Sequence, residues 1–439
     1  MNAKKWVLTF LLFALVLVLG LAAFNYVTDP FAAFGDKFLN WFSYDETNNP
    51  RVAKISYLEQ HHNEYDSYIL GCSSTSSLQV SDFSKLYDAN FYNLIMYGAD
   101  MRDCEKIADY LIEHYEVKHL VLNVYLDNGF TYDDETDRLT RNLHYLTDPD
   151  TSALSFYTRY LFCDPRYGFA KLKNLRNDRL LPQSFDVFNE VTGEYDKRVR
   201  DVEPIGSMDT YLEAYPVFAD YPKTGDFVLG QTENCMKSVA AIKERCEAAG
   251  VELVVVAAPV YIDYFQNFQA EDAANFYASL AKVTDFWDFS CSSVSCEPRY
   301  FYDATHFRNA VGSMIAARIA GDDSVYIPDD FGTYVTADTP SSYFSEVLQA
   351  TALPDKTVSR DVPVLMWHNL AEESSGDMTI SVDTFRAQIE ALHEAGFKTV
   401  SLQQLYDYVH FGTELPEKPI VLTFDELCKR FQLNYIIPV

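Results

Sequence analysis

An uncharged apolar run near the N-terminus constrains the fold of this chain more than any other feature of the sequence. The run extends from Trp6 to Phe24, and its nineteen residues are mostly Leu, Val, Phe and Ala. A helix of this length spans roughly 28 Å, close to the hydrocarbon thickness of a bilayer. Because lipid offers no hydrogen-bond partners, a segment buried in it satisfies its backbone groups internally as a helix. We therefore predict a transmembrane helix at 6–24.

The charges that flank this run predict its orientation. Lys4 and Lys5 precede it, and positive charge on the N-terminal side favours a cytoplasmic N-terminus. Residues 1–5 are then a cytoplasmic tail, and the bulk of this single-pass cell-membrane protein is extracytoplasmic. A cleaved signal peptide is the alternative. Ala22 and Ala23 offer the small residues that cleavage needs, but the apolar run is long for such a segment.

The net charge of the chain limits the kinds of molecule that it can bind. The 439 residues carry a formal net charge of −29. Such a surface repels nucleic acid and anionic lipid, so we expect no nucleic-acid partner, whereas a neutral or cationic polymer is easier to accommodate. The hydrophobic content of 48% argues for packed cores rather than disorder.

Apolar runs alternate with helical patterns between residues 66 and 321. The predicted strands are 68–70, 91–96, 119–126, 251–258 and 285–289, and the predicted helices are 101–115, 234–250, 270–283 and 308–319. The run Val251 to Ala258 is apolar except for Glu252, which is typical of a strand buried on both faces. Repeated β–α alternation of this kind predicts an α/β domain whose parallel sheet lies between helix layers.

The rest of the chain predicts flanking segments and a second unit. Residues 25–65 read as an irregular juxtamembrane segment, and 150–228 as an insertion that shapes the site. Residues 322–361 are rich in Pro, Ser, Thr and Asp, which favours a linker. The second unit, 362–439, begins with a strand at 363–366. A helix capped by Ser381 or Asp383 follows, and then a strand at 419–424.

Two short blocks at opposite ends of the α/β domain carry candidate chemistry. Gly71-Cys72-Ser73-Ser74-Thr75 directly follows a buried strand, and Asp303-Ala304-Thr305-His306 precedes the closing helix. A serine nucleophile needs a base within hydrogen-bond reach, and a third group that orients the base. Each block alone is also compatible with a capping serine or a structural histidine. Their placement at the two ends of one α/β unit favours the catalytic interpretation.

These two blocks resemble the first and last blocks of the SGNH (GDSL-like) hydrolase superfamily, in particular its membrane-anchored branch that modifies cell-surface polysaccharides, such as alginate O-acetyltransferase-like proteins. The resemblance covers roughly residues 66 to 320. It implies a three-layer, flavodoxin-like parallel sheet with Ser73 as nucleophile, His306 as general base and Asp303 as the orienting residue. Cys72 stands where the usual motif has aspartate, as in the acetyltransferase-like branches.

The resemblance also implies an oxyanion hole built from the nucleophile's own N–H, a glycine N–H and an asparagine side chain. Gly98 suits the glycine. Asn123 and Asn128 are both candidates for the asparagine, and we take Asn123 as the first choice. The implied reaction is acyl transfer through an ester on Ser73. Water as the acceptor gives an esterase and a sugar hydroxyl gives an O-acyltransferase, without a cofactor.

A second resemblance lies in the C-terminal unit. PVLMWHNL from Pro363, the FRAQIEALHEAGFKTVSLQQLYDYV stretch and KPIVLTFDE from Lys418 resemble the opening of a NodB-homology polysaccharide deacetylase, a (β/α)-barrel family. In that family a Thr-Phe-Asp-Asp-Gly motif supplies a catalytic base and a metal ligand. Asp425 aligns with the base, Glu426 takes the place of the metal-binding aspartate, and Leu427 replaces the glycine. We expect a vestigial motif in a truncated fragment, with no metal site and no deacetylase activity.

Three functions of different classes remain open from the sequence. The first is an extracytoplasmic serine esterase or O-acyltransferase acting on acetylated cell-surface polysaccharide. The second is a non-catalytic glycan-binding scaffold. The third is a metal-dependent carbohydrate deacetylase defined by the C-terminal unit. In the first case the partners are the polysaccharide or its acyl donor, together with the membrane that holds the N-terminal helix.

Overall fold

The computed structural model describes most of the chain. The described residues are 3–39, 49–130, 138–175, 189, 191–195, 208–218, 225, 227–325, 327–346, 362–374, 378–411 and 413–424. They divide into two compact units. The first consists of Met1–Pro204 and Tyr215–Leu353, and the second of Ile205–Ala214 and Pro354–Val439.

The helices and strands are numbered along the chain. The helices are α1 (Ala3–Thr28), α2 (Pro50–His61), α3 (Val80–Tyr87), α4 (Met101–His114), α5 (Arg138–Arg141), α6 (Ala153–Leu161), α7 (Pro165–Leu175), α8 (Met208–Ala214), α9 (Thr232–Ala249), α10 (Ile262–Phe265), α11 (Ala270–Val283), α12 (Asn309–Ala320), α13 (Ser341–Glu346), α14 (Val382–Glu394) and α15 (Leu402–Phe411). The strands are β1 (Ser67–Gly71), β2 (Phe91–Ile95), β3 (His119–Asn123), β4 (Glu252–Ala257), β5 (Phe286–Asp288), β6 (Thr333–Val335), β7 (Val364–Trp367), β8 (Asn369–Ala371), β9 (Thr379–Ser381), β10 (Lys398–Thr399) and β11 (Pro419–Phe424).

The first unit has the predicted α/β architecture and is built around a six-stranded sheet. The strand order is β2-β1-β3-β4-β5-β6, and the first five strands are parallel. The order 2-1-3-4-5 is that of doubly wound sheets, which bind ligands beyond the carboxyl ends of their strands. Every residue of β1 and β2 is buried, as expected for strands with helices on both faces.

Three segments of the first unit differ from the sequence-based expectation. The segment predicted as a linker contributes β6, which pairs antiparallel with β5, and also contributes α13. The juxtamembrane segment contains α2, whose first turn is capped by the Asn49 side chain. The strand predicted at 119–126 ends at Asn123, and a 3₁₀ turn at Leu126–Gly129 follows it. None of these short elements carries a long periodic pattern from which it could be predicted.

Helix α1 covers the predicted apolar run and continues for one turn beyond it. By length and composition it is compatible with a single membrane span, and a signal sequence near an N-terminus would share both properties. Its last turn enters the first unit, where Asn25 and Thr28 are buried.

The second unit contains a three-stranded parallel sheet in the order β10-β11-β7 and a separate pair formed by β8 and β9. Ser381 caps α14, since its hydroxyl accepts a hydrogen bond from the Thr384 N–H at 3.1 Å. Trp367, Phe385 and Phe424 pack against one another, and the Trp367 ring lies 5.2 Å from that of Phe385 and 5.5 Å from that of Phe424. A parallel sheet of this size does not identify a barrel, so the barrel fragment stays a prediction.

Candidate active site

The candidate nucleophile lies in a tight turn at the carboxyl end of β1. Residues Ser73–Ser77 form a 3₁₀ turn, in which Ser74 to Ser77 are buried and Ser73 is partly exposed. The turn is therefore rigidly packed, with its first hydroxyl nearest to solvent. Exposure of Ser73 at the ligand-binding edge of the sheet is what a nucleophile needs.

Two glycines allow the turn to pack this closely. Gly71 has a φ of +157°, and a Cβ at this position would lie 2.0 Å from Thr75 Oγ1. A Cβ on Gly312, in α12, would lie 1.7 Å from the carbonyl oxygen of Ser77. Contacts this short are not tolerated by real side chains, so any larger residue would displace the turn. The turn is held between the end of β1 and the closing helix.

Asp303 and His306 form a charge-assisted pair in the loop before α12. His306 Nδ1 lies 2.7 Å from Asp303 Oδ1 and 2.9 Å from Oδ2. The backbone N–H groups of Thr305 and His306 each donate to Asp303 Oδ1 at 3.0 Å. A carboxylate on Nδ1 favours the tautomer in which Nδ1 carries the proton and Nε2 is free to act as a base.

The environment of Asp303 favours its charged form. Burial raises the pKa of this carboxyl, but the hydrogen bond and charge of His306, with the N–H groups of Thr305 and His306, outweigh it and lower the pKa to about 2. Asp303 is therefore an anion at neutral pH. An anion here orients the imidazole and stabilises the imidazolium that forms when His306 accepts a proton.

A hydrogen bond joins the serine turn to the histidine loop. The Ser77 hydroxyl donates to the carbonyl oxygen of Phe307, the residue after His306. On the other side of the loop, the Tyr261 N–H, beyond the end of β4, donates to the Ala304 carbonyl at 2.9 Å. The structure thus brings the two predicted blocks together. Among the described residues no hydrogen bond joins Ser73 Oγ to His306, so that last contact of the triad stays a prediction.

Asn123, the first choice for the oxyanion amide, lies buried beneath the turn at the end of β3. Its Nδ2 donates to Ser74 Oγ at 2.8 Å and to Thr75 Oγ1 at 3.2 Å. Its Oδ1 accepts the Ala258 N–H at 3.3 Å. Asn123 therefore ties the turn to β3 and β4. It could serve an oxyanion only by exchanging one of these bonds, of which the bond to Thr75 is the longer.

Gly98, the other oxyanion candidate, lies in the turn after β2 with a left-handed backbone (φ +56°). Arg51 holds this turn, since its Nη2 donates to the Tyr97 carbonyl at 2.6 Å while its Nη1 pairs with Asp103 at 2.8 Å. The alternative asparagine, Asn128, accepts the Tyr125 N–H at 2.9 Å in the 3₁₀ turn after β3. Gly98 and Asn128 thus lie in the turns that follow β2 and β3.

Tyr125, Asp127 and Tyr264 also lie beyond the carboxyl ends of the strands, and they belong to no motif that the sequence reveals. The Tyr125 hydroxyl donates to Asp127 Oδ2 at 3.0 Å, and the Tyr264 hydroxyl donates to the other oxygen, Oδ1. Cys72 lies beside Tyr125, and burial raises the pKa of its thiol. The neutral thiol is not activated as a nucleophile. In the sequence, only the Tyr-x-Asp spacing after β3 could have indicated that Tyr125 and Asp127 interact.

Arg308 follows the histidine loop and is almost completely buried, with 2% of its surface exposed. Its guanidinium lies 4.6 Å from the centre of the Tyr302 ring, and its backbone N–H donates to the Tyr300 carbonyl at 2.8 Å. A buried cation over an aromatic face stabilises the loop in which it lies. Arg308 therefore supports the conformation that carries Asp303 and His306.

The second unit presents no comparable site among its described residues. Asp425 and Glu426, the predicted remnant of the deacetylase motif, lie outside the described residues. In the part of the chain that the structure describes, no group of three or more His, Cys, Asp or Glu residues could hold a metal ion.

Comparison with known proteins gives a short local match. No model of a known protein family matches the chain. Over 64 residues, this chain is 39% identical to the poly-beta-1,6-N-acetyl-D-glucosamine N-deacetylase of Escherichia coli (strain K12), and it is equally similar to that of Escherichia coli O157:H7. The match covers 14% of this chain and 10% of each enzyme, so the chain spans about a tenth of the length of these relatives. A polysaccharide-deacetylase part is therefore supported, and an enzyme acting on acetylated polysaccharide is the class that the match suggests.

Proposed function

We propose that the first unit is an SGNH-type serine esterase or O-acyltransferase that acts on acetylated polysaccharide at the cell surface. The observation that carries this proposal is the Asp303–His306 pair, with Nδ1 held at 2.7 Å, in a loop hydrogen-bonded to the Ser73 turn through Ser77. The local similarity to enzymes named for an acetylated glucosamine polymer supports the substrate class.

In the proposed reaction, His306 Nε2 removes the proton of Ser73 Oγ as the oxygen attacks the ester carbonyl. The tetrahedral oxyanion accepts hydrogen bonds from the backbone N–H groups of Ser73 and Gly98, with Asn123 as the third candidate donor. Collapse breaks the bond to the leaving alkoxide, which takes the proton from His306, and leaves an acyl ester on Ser73. Each well-placed oxyanion donor contributes about 3 to 4 kcal/mol to such a step.

The acyl ester is then released by a second attack. His306 removes a proton from water or from a sugar hydroxyl, and the oxygen so activated attacks the carbonyl. Ser73 Oγ is displaced and takes this proton back from His306, which restores both residues. Water yields the free acid, and a sugar hydroxyl yields an O-acylated glycan. Water is present at high concentration and competes with the sugar hydroxyl for the acyl ester. The extent to which the site excludes water therefore decides whether hydrolysis or transfer occurs.

The membrane placement belongs to the same proposal. With α1 as a single span and Lys4 and Lys5 in the cytoplasm, the first unit is extracytoplasmic, on the side where a surface polysaccharide lies. Tethering raises the effective concentration of the site near an insoluble polymer.

Turnover of a chromogenic acetyl ester by the full chain tests the proposal. We expect Ser73→Ala to lower kcat by at least about 10³-fold, and a fluorophosphonate probe to label Ser73 in the unsubstituted chain. Ser76→Ala, in the same turn, is the matched control and should keep most of the activity. Unchanged turnover in Ser73→Ala would remove the proposed nucleophile. Added soluble glycan distinguishes the two acceptors, since a transferase places the acyl group on it.

The local match favours a second candidate, metal-dependent N-deacetylation of a glucosamine polymer, for a protein that includes the second unit. The match spans only a tenth of the matched enzymes, so their deacetylase activity is carried over to this chain only as a proposal. Release of acetate from an N-acetylglucosamine polymer that stops with a chelator and persists in Ser73→Ala would support it.

A further inference from the structure

An apolar and basic surface lies on α6 and α7, at residues 153–175, here called the α6–α7 corner. Four of its large apolar side chains are exposed: Leu154 at 80%, Phe169 at 61%, Phe162 at 45% and Leu172 at 38%. Single exposed apolar residues are ordinary on a protein surface, but several grouped on neighbouring helices mark an interaction site. Nothing in the proposed reaction uses them.

The corner is fastened to the end of the apolar helix α1. The ring of Phe169 lies 4.7 Å from the ring of Phe24, the last residue of the uncharged run. Asn25 Nδ2 donates to the carbonyl oxygens of Leu161 at 3.0 Å and Cys163 at 2.9 Å, at the end of α6. The side chain that follows the apolar run is thus a fixed link to the corner.

This contact is close enough to fix the depth of the corner. A Cβ on Gly168 would lie 2.6 Å from both the Phe24 ring and Thr28 Oγ1, so the backbone of α7 touches α1 directly. If α1 spans a bilayer, Phe24 lies where the hydrocarbon meets the headgroups. Phe169, in contact with it, then lies at the same depth.

The charge of the corner differs from that of the whole chain. Residues 153–175 contain four basic residues and one acidic residue, in a chain whose net charge is −29. Lys171 is buried against Asp36 and Arg166 pairs with Asp164, which leaves Arg159 and Lys173 as the exposed basic side chains that are not offset by these two pairs. Basic side chains beside exposed Phe and Leu are the composition of helices that lie in a membrane interface. The repulsion of anionic lipid that the net charge predicts does not apply locally.

We propose that the α6–α7 corner lies in the lipid headgroup region where α1 leaves the bilayer, with its exposed Phe and Leu side chains inserted into the interface. This inference rests on α1 as a single membrane span. The first unit is then held to the membrane by two contacts, the span and the corner, which together fix its orientation. A single flexible tether would leave the unit free to rotate.

The same placement turns one edge of the sheet toward the membrane. Phe156 and Tyr160 of α6 share a core cluster with Val52 of α2, and α2 packs on β2. Strand β2 is one edge of the six-stranded sheet and β6 is the other. Five inter-strand spacings of about 4.8 Å separate the two edges by roughly 24 Å. Tyr334 on β6, 53% exposed, is therefore a distant reference position.

Quenching of tryptophan fluorescence by brominated lipid tests the proposal on the full chain in liposomes. The parent for this test keeps Trp6 of α1 as its one tryptophan, because it carries Trp41→Phe, Trp287→Phe and Trp367→Phe. Quenching of Trp6 confirms that α1 lies in the bilayer. Phe169→Trp, Phe162→Trp and Tyr334→Trp are each made in this parent with Trp6→Phe added, so that the introduced tryptophan is the only one in the chain. We expect brominated lipid to quench the new fluorescence at positions 169 and 162 and to leave that at 334 unchanged.

Three results would overturn the proposal. The first is a quenched parent with no added quenching at 169 and 162, which keeps the span and removes the corner from the interface. The second is equal quenching at 169 and 334, which removes the orientation. A parent without quenching refutes the span itself, and with it the inference. The far-UV circular dichroism spectrum of each variant, measured in the same liposomes, confirms that the chain is folded.

Discussion

The two units of this chain differ in how completely they surround their candidate chemistry. In the first, β1 is buried along its whole length, and the serine turn beyond it is packed against Asn123 and Gly312. In the second, the first three residues of β7 are exposed, and within its described span α14 buries no residue. A parallel sheet is normally covered on both faces, so the described part of the second unit lacks the surroundings of a finished site.

A serine site and a metal site have different structural requirements. A serine site requires one strand end, one loop and a few hydrogen bonds, all of which lie inside a single α/β unit. A hydrolytic metal site requires several ligands converging on one ion, usually from separate elements. Preorganisation therefore distinguishes the two units, and substitutions that loosen it should affect the first unit strongly and the second little.

The largest effect among the substitutions that break this preorganisation is expected for Asp303→Asn. The amide can no longer hold His306 in the tautomer that frees Nε2, so we expect kcat for an acetyl ester to fall by about 10³-fold or more. KM should change little, because Asp303 touches no substrate. Steady-state kinetics of the purified full chain measures both. A loss below tenfold would contradict the role of Asp303 as the orienting residue.

The pH profile provides a second check on Asp303. Because its pKa is lowered to about 2, its contribution to stability is present above the unfolded value of about 3.9 and is lost as the pH falls through 2. The carboxylate is thus charged across pH 5 to 9, and a change of activity in that window cannot come from its titration. The wild type and Asp303→Asn should accordingly differ by a constant factor from pH 7 to 9.

Much of the first unit could be predicted from the sequence because its strong signals are local. The apolar run Val251 to Ala258 contains β4, and the pattern at 270–283 gives the bounds of α11 without error. The site blocks were recognisable for the same reason. Ser73 follows a buried strand directly, and Asp303 and His306 are three residues apart, so each block is a short contiguous motif.

The features that could not be predicted depend on contacts between distant parts of the chain. Strand β6 has three residues, and it is a strand only because β5 offers it an edge. The bonds of Asn123 to Ser74 and Thr75 join residues almost fifty positions apart. The need for glycine at 312 comes from Ser77, more than two hundred residues away. Periodicity and motif spacing contain no information about such contacts.

Gly312→Ala tests whether the packing of the serine turn matters to its chemistry. The added methyl would lie 1.7 Å from the Ser77 carbonyl, so the turn or α12 must shift. We expect a loss of about 1 to 3 kcal/mol in the free energy of unfolding. A shift of 1 Å at the nucleophile also lowers kcat by about 10²-fold. Chemical denaturation and ester kinetics measure the two effects.

Ala317→Gly, on the same helix, is the matched control for Gly312→Ala. It lowers helix stability by about 1 kcal/mol without placing an atom near the turn, so kcat should stay within about twofold of the wild type. If both variants lost the same activity, general instability would explain the loss, and the contact with Ser77 would have no specific role.

Asn123→Ala has a smaller expected effect and decides between two roles for this side chain. Its removal leaves the buried Ala258 N–H without its acceptor and frees the Ser74 and Thr75 hydroxyls, at a cost of about 1 to 3 kcal/mol in stability. If Asn123 acts by clamping the turn, kcat should fall by about tenfold, as a looser turn misplaces the nucleophile in part of the population.

A larger loss in Asn123→Ala would assign the residue to the oxyanion hole instead. Removal of one oxyanion donor costs about 10²- to 10³-fold in kcat. The loss in kcat then exceeds what a looser turn explains, because an interaction made in the transition state is removed in addition to the bonds to Ser74, Thr75 and Ala258. Asn128→Ala, measured beside it, examines the alternative asparagine. A loss of 10²-fold there, with tenfold at Asn123, would move the donor to the turn after β3.

The smallest expected effect is that of disturbing the second unit. Asp425→Asn, and a chelator such as EDTA, should each change acetyl-ester turnover by less than about twofold, because the serine mechanism uses no metal ion and no residue of that unit. The same two treatments, applied to an N-acetylglucosamine polymer, should reveal any deacetylation that depends on Asp425. A chelator that abolished ester turnover while leaving the chain folded would contradict this assignment. Ester hydrolysis would then depend on a metal ion and not on a preorganised serine in the first unit.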